Sequence, residues 1–292
     1  MNQHPQQLFL WQEGQWVESH RLSFPLAERS FWYGDGLFTT MRVANGFLED
    51  FQGHSLRLAE QCRLLNILWT PPPESSICLL LADCGAQLGS WRLKLAMTSG
   101  SSPALQLPRR EGQLWLLLSP LSKAPSSSSP LRLSWLHSPL SAWSSRLKSL
   151  AYLERLYLRQ QAIDQGYDEV LLVEPKSEAL LETNCHGLFW IEGNSLFYPD
   201  EQLPLLASSS LRRLRDYLLA DSTSLFIPQA VSCPLKEVKG PLFAINALRG
   251  ILPVIEVAGR GFLRDSCLEG ALQIAWERAT AAVSTPISGT YP

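Results

Sequence analysis

Lysine is scarce in this chain. Only six of its 25 basic residues are lysines, at positions 94, 123, 148, 176, 236 and 239, so chemistry that needs a primary amine has few candidates. No apolar run approaches the length of a bilayer-spanning helix, and no membrane role is expected. The formal net charge of −2 supplies no basic field for nucleic acid or an anionic membrane surface. An anionic ligand must therefore be held by local groups. The six cysteines (62, 78, 84, 185, 233 and 267) form no Cys-x-x-Cys pair, and the five histidines show no metal-ligand spacing, so no metal centre is expected. Gly-x-Ser-x-Gly, a Gly-rich phosphate loop and a dinucleotide fingerprint are absent as well. Met1–Gln7 is polar and has no signal-peptide core, which points to reduced thiols and a cytoplasmic protein.

What is present suits a folded protein with one large or two medium domains: 292 residues, 46% hydrophobic and 18% charged. Leu8–Trp11 and Gln15–Val17 predict a hairpin over Glu13-Gly14, and Leu37–Val43 predicts a strand that turns at Asn45-Gly46 into Phe47-Leu48. Helical spacing follows over Asp50–Leu68 and Glu74–Leu88, then strands at Trp91–Met97 and Leu114–Leu118. Lys123–Pro130 places four serines between prolines. It is read as a linker (123–130) between an N-terminal α+β domain (1–122) and a C-terminal domain (131–292). Beyond it come strands at Leu131–Leu136 and Glu169–Val173, a hairpin over Glu192-Gly193-Asn194, and strands near Phe243–Ile245 and Val254–Val257. Helices are predicted from Lys148, over Ser208–Leu219 and over Asp265–Arg278. Strands and helices mix without regular alternation, which favours an α+β fold over a doubly wound sheet.

Lys148 stands where a Ser-rich stretch meets Leu150, Leu153, Leu156 and Tyr157 at helical spacing, so it is placed at a helix start. Read alone, it is a solvated lysine. Ser208-Ser209-Ser210 opens a helix bearing Arg212, Arg213 and Arg215, which reads either as an anion site or as plain serine capping. Arg57 follows His54 by three residues and shares its helix face. Glu182, between an apolar strand and a turn, is either a loop charge or a buried carboxylate held ionised by a cationic ring nitrogen. Asp35, between two glycines, reads as a turn residue.

The order of these features resembles one family. Tyr33-Gly34-Asp35-Gly36-Leu37-Phe38-Thr39-Thr40, His54-x-x-Arg57-Leu58, Lys148, Gly166–Leu171, Leu181-Glu182-Thr183 through Trp190, and Asn246-Ala247-Leu248 through Val254 look like the class IV aminotransferases. That resemblance implies a two-domain α+β fold of the fold-type-IV, D-amino-acid transaminase-like kind, with pyridoxal phosphate in the cleft between domains, and a homodimer acting on a small molecule. Lys148 would hold the cofactor as a Schiff base and then act as general base. Glu182 would meet the pyridine nitrogen. Arg57, Ser208, Ser209, Asn246 and Ala247 would clasp the phosphate, and Tyr152 would reach the ring hydroxyl. Phe-Thr-Thr after Gly-Asp-Gly most resembles the 4-amino-4-deoxychorismate lyases of the folate pathway, which release 4-aminobenzoate and pyruvate. Thr39, in the place of the transaminases' glutamate, is then the expected proton donor, since strand alternation puts Thr39 and Thr40 on opposite faces.

The alternatives are an aminotransferase acting on branched-chain or D-amino acids, and a non-catalytic member that binds a ligand or partner. Departures from the family pattern motivate them. Gly187 and Ala151 replace asparagines, and Thr98–Pro103 replaces an arginine- and glycine-rich segment.

Overall fold

The computed structural model describes residues 6–21, 25–102, 105–107, 110–121 and 129–287. The chain divides into two compact units. The first comprises Met1–Lys123, Lys148–Tyr152 and Ala281–Pro292, and the second Ala124–Leu147 and Leu153–Thr280. Most of the expected linker lies outside the described residues. Two stretches expected in the C-terminal domain, Lys148–Tyr152 and the chain from Ala281, fold with the first unit.

The first unit is built on β1 (Gln7–Gln12), β2 (Gln15–Glu18), β3 (Gly36–Ala44), β4 (Phe47–Glu49), β5 (Ile67–Leu68), β6 (Ser90–Thr98), β7 (Arg110–Glu111) and β8 (Leu114–Pro120). Its helices are α1 (Arg29–Tyr33), α2 (Phe51–Leu64) and α3 (Glu74–Asp83). A seven-stranded sheet runs Ser284–Pro286, β4, β3, β6, β8, β1, β2, and β5 pairs separately with β7. Helices α2 and α3 are both shorter than their spacing predicts. After α2 the chain turns at Asn66, whose φ is 56°, to let Ile67-Leu68 pair with β7, and Gly85 at φ 72° lies within the turn that follows α3.

Alternation gives the sheet two unlike faces. Leu37, Thr39, Met41 and Val43 of β3 and Leu93 and Leu95 of β6 are fully buried, with α2 packed on β3. Phe38, Thr40 and Arg42 point the other way. Register sets Thr40 opposite Lys94 and Arg42 opposite Arg92. This second face is where the charges lie.

The second unit carries β9 (Leu131–His137), β10 (Glu169–Val173), β11 (Leu180–Thr183), β12 (Gly187–Glu192), β13 (Ser195–Pro199), β14 (Ile227–Val231), β15 (Leu242–Asn246), β16 (Gly250–Val257) and β17 (Arg260–Gly261). With them are α4 (Leu153–Asp164), α5 (Ser209–Ala220) and α6 (Ser266–Ala281). The strand order is β11-β10-β9-β16-β15-β12-β13-β14, with β17 on β16. Phe189, Ile191, Phe243 and Ile251 share a core with Leu214 of α5 and Trp276 of α6, while Leu158 and Ala162 of α4 cover Val170, Leu172 and Leu181. A third cluster, including Leu171, Leu188, Trp190 and Leu252, completes the core. Every residue of β10 and β11 is buried. Strands of both directions with helices give the two-domain α+β class that the sequence implies.

The helix expected from Lys148 starts only at Leu153. Lys148-Ser149-Leu150 is extended instead, because its backbone groups pair with β3. Phe38 N donates to Lys148 O (2.8 Å), Leu150 N donates to Gly36 O (2.9 Å), and Ser149 bridges Leu37. Leu153 and Leu156, read as the apolar stripe of that helix, are exposed in this chain. The crossing is close enough to require glycine on the facing strand. A Cβ on Gly36 would lie 2.7 Å from both Leu150 Cδ1 and Met97 O, and one on Gly34, at φ 64°, would lie 2.9 Å from Ala151 Cα.

Candidate active site

The candidate residues fall into two clusters, one in each unit. In the first, Lys148 is held by its backbone: its O is taken by Phe38, and its N donates to Gln61 Oε1 of α2 (3.0 Å). The side-chain amine then lies over Phe38, 5.0 Å from the ring centroid, and 5.8 Å from that of Tyr152. Phe38 and Tyr152 themselves meet edge to face at 5.3 Å. Tyr152 therefore neighbours Lys148 through this ring, not through a helical turn. Lys94 Nζ sits over the same Phe38 ring at 4.0 Å. Among the described residues no carboxylate pairs with Lys94. Burial, and then the charge of Arg92, hold its pKa below the ordinary lysine value.

The opposite face of β3 carries Thr39, which has 0% exposure. Arg57 Nη2 donates to Thr39 Oγ1 (2.8 Å), and His54 Nδ1 lies 2.6 Å from the same oxygen. The His54–Arg57 spacing read from the sequence thus does put both side chains on one point. That point is Thr39, whose hydroxyl supports Arg57. Thr40 lies on the opposite face, with Phe38. Asp35 is a buried partner of Arg29, Nε to Oδ2 2.6 Å, which makes it a stay for the Gly-Asp-Gly bend.

In the second unit Glu182 is buried in β11. Its Oε1 accepts from Arg155 Nη2 of α4 (2.7 Å) and from Leu206 N (3.2 Å). Both contacts fall on one oxygen of the carboxylate. Ser208 caps α5, its side chain accepting from Leu211 N (3.2 Å), and Ser209 begins the helix in a buried position. Gly187 explains its own departure from the family pattern, since a Cβ there would lie 2.8 Å from Ser208 Cβ. Gly187 pairs with Ile245, so the α5 start and Asn246-Ala247 flank one stretch of strand. Asn246 Oδ1 accepts from Leu248 N (3.0 Å) and Arg249 N (2.8 Å), while its Nδ2 faces His186 Nε2 at 2.8 Å. His186 Nδ1 in turn lies 3.0 Å from Glu169 Oε2.

Four of these residues escaped the sequence reading. Arg155 and Glu182 are 27 positions apart on a helix and a strand, and no spacing rule joins them. Glu169 and His186 looked like a strand end and a turn. Lys94 was legible in principle, as a lysine inside an apolar strand whose neighbours Leu93 and Leu95 face away. The six cysteines are all free, and burial pushes Cys62 up to about 12 and Cys78 to about 11, so neither is a ready nucleophile.

The Amino-transferase class IV family matches residues 36–257, and the chain belongs to that family. It is 25% identical over 244 residues to the aminodeoxychorismate lyase of Vibrio harveyi, covering 79% of this chain and 86% of that protein. Among solved structures it resembles the "Putative 4-amino-4-deoxychorismate lyase" of Legionella pneumophila at 25% identity. That match has a TM-score of 0.78 and covers 88% of this chain and 96% of the other. The branched-chain aminotransferase of Thermoproteus uzoniensis shares the fold at 16% identity and TM-score 0.82, covering 97% and 100%.

The protein is thus a fold-type-IV enzyme acting on a small molecule, and its cofactor is pyridoxal phosphate. The residues suit that group: an amine over aromatic rings, a buried carboxylate with one oxygen already occupied, a buried arginine and a serine-capped helix start. Among the described residues no helix is long and apolar enough to cross a membrane, and no His, Cys, Asp or Glu cluster could hold a metal ion.

Proposed function

We propose that this enzyme is a lyase that converts 4-amino-4-deoxychorismate to 4-aminobenzoate and pyruvate, as a cytoplasmic homodimer. One observation carries the reading: the face of the first sheet that holds Lys148 offers cations and a hydroxyl. Arg42, Arg92 and Lys94 line it with Thr40 and Phe38, and the strand position facing α2 holds Thr39 instead of a carboxylate. Such a face suits a substrate with two carboxylates. The lyase from Vibrio harveyi and the Legionella structure support the same reading, each at 25% identity against 14–16% for the branched-chain enzymes.

When bound, pyridoxal phosphate would supply an electrophilic carbonyl for an amine and an electron-accepting ring. The protein does the rest. Lys148 holds the cofactor at rest, and its freed amine removes the proton at the substrate carbon. Thr40 gives a proton to the departing enolpyruvyl carbon. Lys94, with Arg92 beside it, holds a substrate carboxylate. Glu182 keeps the ring nitrogen protonated through the oxygen that Arg155 leaves open. Arg57, steadied by Thr39, acts with Ser208, Ser209, Asn246 and Ala247 on the phosphate, and Tyr152 on the ring hydroxyl.

The purified holoenzyme given 4-amino-4-deoxychorismate should release 4-aminobenzoate and pyruvate in equal amounts. Turnover of a branched-chain or D-amino acid with 2-oxoglutarate, and none of aminodeoxychorismate, would replace the lyase by the aminotransferase reading. Borohydride reduction should leave cofactor mass on the Lys148 peptide. Its absence would favour a non-catalytic protein.

A further inference from the structure

The orientation of Asn246 is fixed by the backbone. Its Oδ1 takes two N–H groups, those of Leu248 and Arg249, so the end facing His186 must be the NH2 group. An amide nitrogen only donates. His186 Nε2, 2.8 Å away, must then present its lone pair, and the ring proton belongs on Nδ1. Glu169 Oε2 accepts that proton at 3.0 Å and a second hydrogen bond from Thr183 Oγ1 at 2.6 Å. Burial raises the Glu169 carboxyl, while hydrogen bonds from His186 and Thr183 and the charge of Arg159 favour its ionised, accepting form. Thr183 Oγ1 also accepts the His186 N–H (2.8 Å) and the Cys185 N–H (3.2 Å), which ties the ring's backbone to the same carboxylate. Each donor in the run from Glu169 to Arg249 therefore has an acceptor, in one sense only.

We infer that His186, held in one tautomer by Glu169, is a positioning residue for the cofactor phosphate, acting through the side chain of Asn246. With its amide fixed at one end by His186, Asn246 closes the turn from Asn246 to Arg249 and sets the direction of that turn's N–H groups. This rests on the reading that Asn246-Ala247 meet the phosphate. Gly187 contributes by leaving room for Ser208, so that the helix start and the turn serve the same anion.

The test compares affinity for pyridoxal phosphate with affinity for pyridoxal, which lacks the phosphate, in the apoprotein. His186→Leu removes the nearer acceptor of the half-buried Asn246 amide, leaving it only Cys185 O at 3.5 Å, and the preference for pyridoxal phosphate should fall about tenfold while pyridoxal affinity holds. His186→Gln, whose amide oxygen can accept from Asn246, should restore most of the preference. A preference preserved in His186→Leu, or equal loss of both ligands, overturns the inference alone. A wild-type protein without the preference removes the phosphate reading and the inference with it. Nitrogen-15 NMR of the wild-type holoprotein needs no variant to fold. It should show His186 neutral with the proton on Nδ1, and an imidazolium there overturns the assignment. Lyase turnover is measured separately, so its failure would leave these outcomes readable.

Discussion

The two sheets solve opposite problems. In the first unit the sheet has one face under α2 and one that keeps its charges, so β3 and β6 alternate between fully buried apolar positions and Thr40, Arg42, Arg92 and Lys94. In the second, β10 and β11 are buried at every position, and any polar residue there must close its hydrogen bonds inside the protein. Glu169 does so with His186 and Thr183, and Glu182 closes one of its two oxygens with Arg155 and Leu206 N. A one-sided sheet can present reactive groups by register alone. A covered sheet holds them as members of hydrogen-bonded networks, which makes them stiff and costly to disturb.

That contrast can be tested at its extremes. Lys148→Ala should lower turnover by roughly 10²–10⁴-fold while the melting temperature barely moves, since the segment is held by backbone hydrogen bonds. Retained activity would end the assignment. The two faces of β3 should separate next: Thr40→Val should lower kcat about a hundredfold with cofactor affinity intact. Thr39→Val should instead weaken cofactor binding about tenfold, because Arg57 loses one acceptor, and leave the kcat of the saturated enzyme near wild type. The reverse pattern would return the proton-donor role to Thr39. The smallest effect belongs to Lys94. Its pKa is lowered from 10.5, so as pH rises the ammonium is lost earlier than in an ordinary lysine, and KM for the dianionic substrate should climb in that range. Lys94→Arg stays charged and should flatten the climb. A KM that rises equally in both would assign the effect to another group.

Most of the secondary structure and the α+β class could be read from periodicity, because alternation in β3 and β6 and the turns at Asn45-Gly46 and Gly193-Asn194 are local signals. The Lys148 segment shows where such signals stop. Leu150, Leu153, Leu156 and Tyr157 have helical spacing, but pairing with Gly36 and Phe38, more than a hundred residues earlier, takes the backbone of 148–150 before a helix can. Gly34 and Gly36 carried that information as room for a crossing chain, which is invisible until the chain is there. The pairs Arg155–Glu182 and Glu169–His186 depend on tertiary register in the same way. Short strands such as Ile227–Val231 and Ser284–Pro286 lacked alternation and went unread.

The first sheet is also a matter of timing. One of its edge strands is Ser284–Pro286, and the amine proposed to hold the cofactor arrives with Lys148, so no growing chain that stops short of either possesses the complete sheet. A ribosome must release the chain through Pro286 before Lys148 has its full framework. A fragment ending before Lys148 would lose both the proposed cofactor lysine and the outer strand, and a split version of this enzyme would have to break elsewhere.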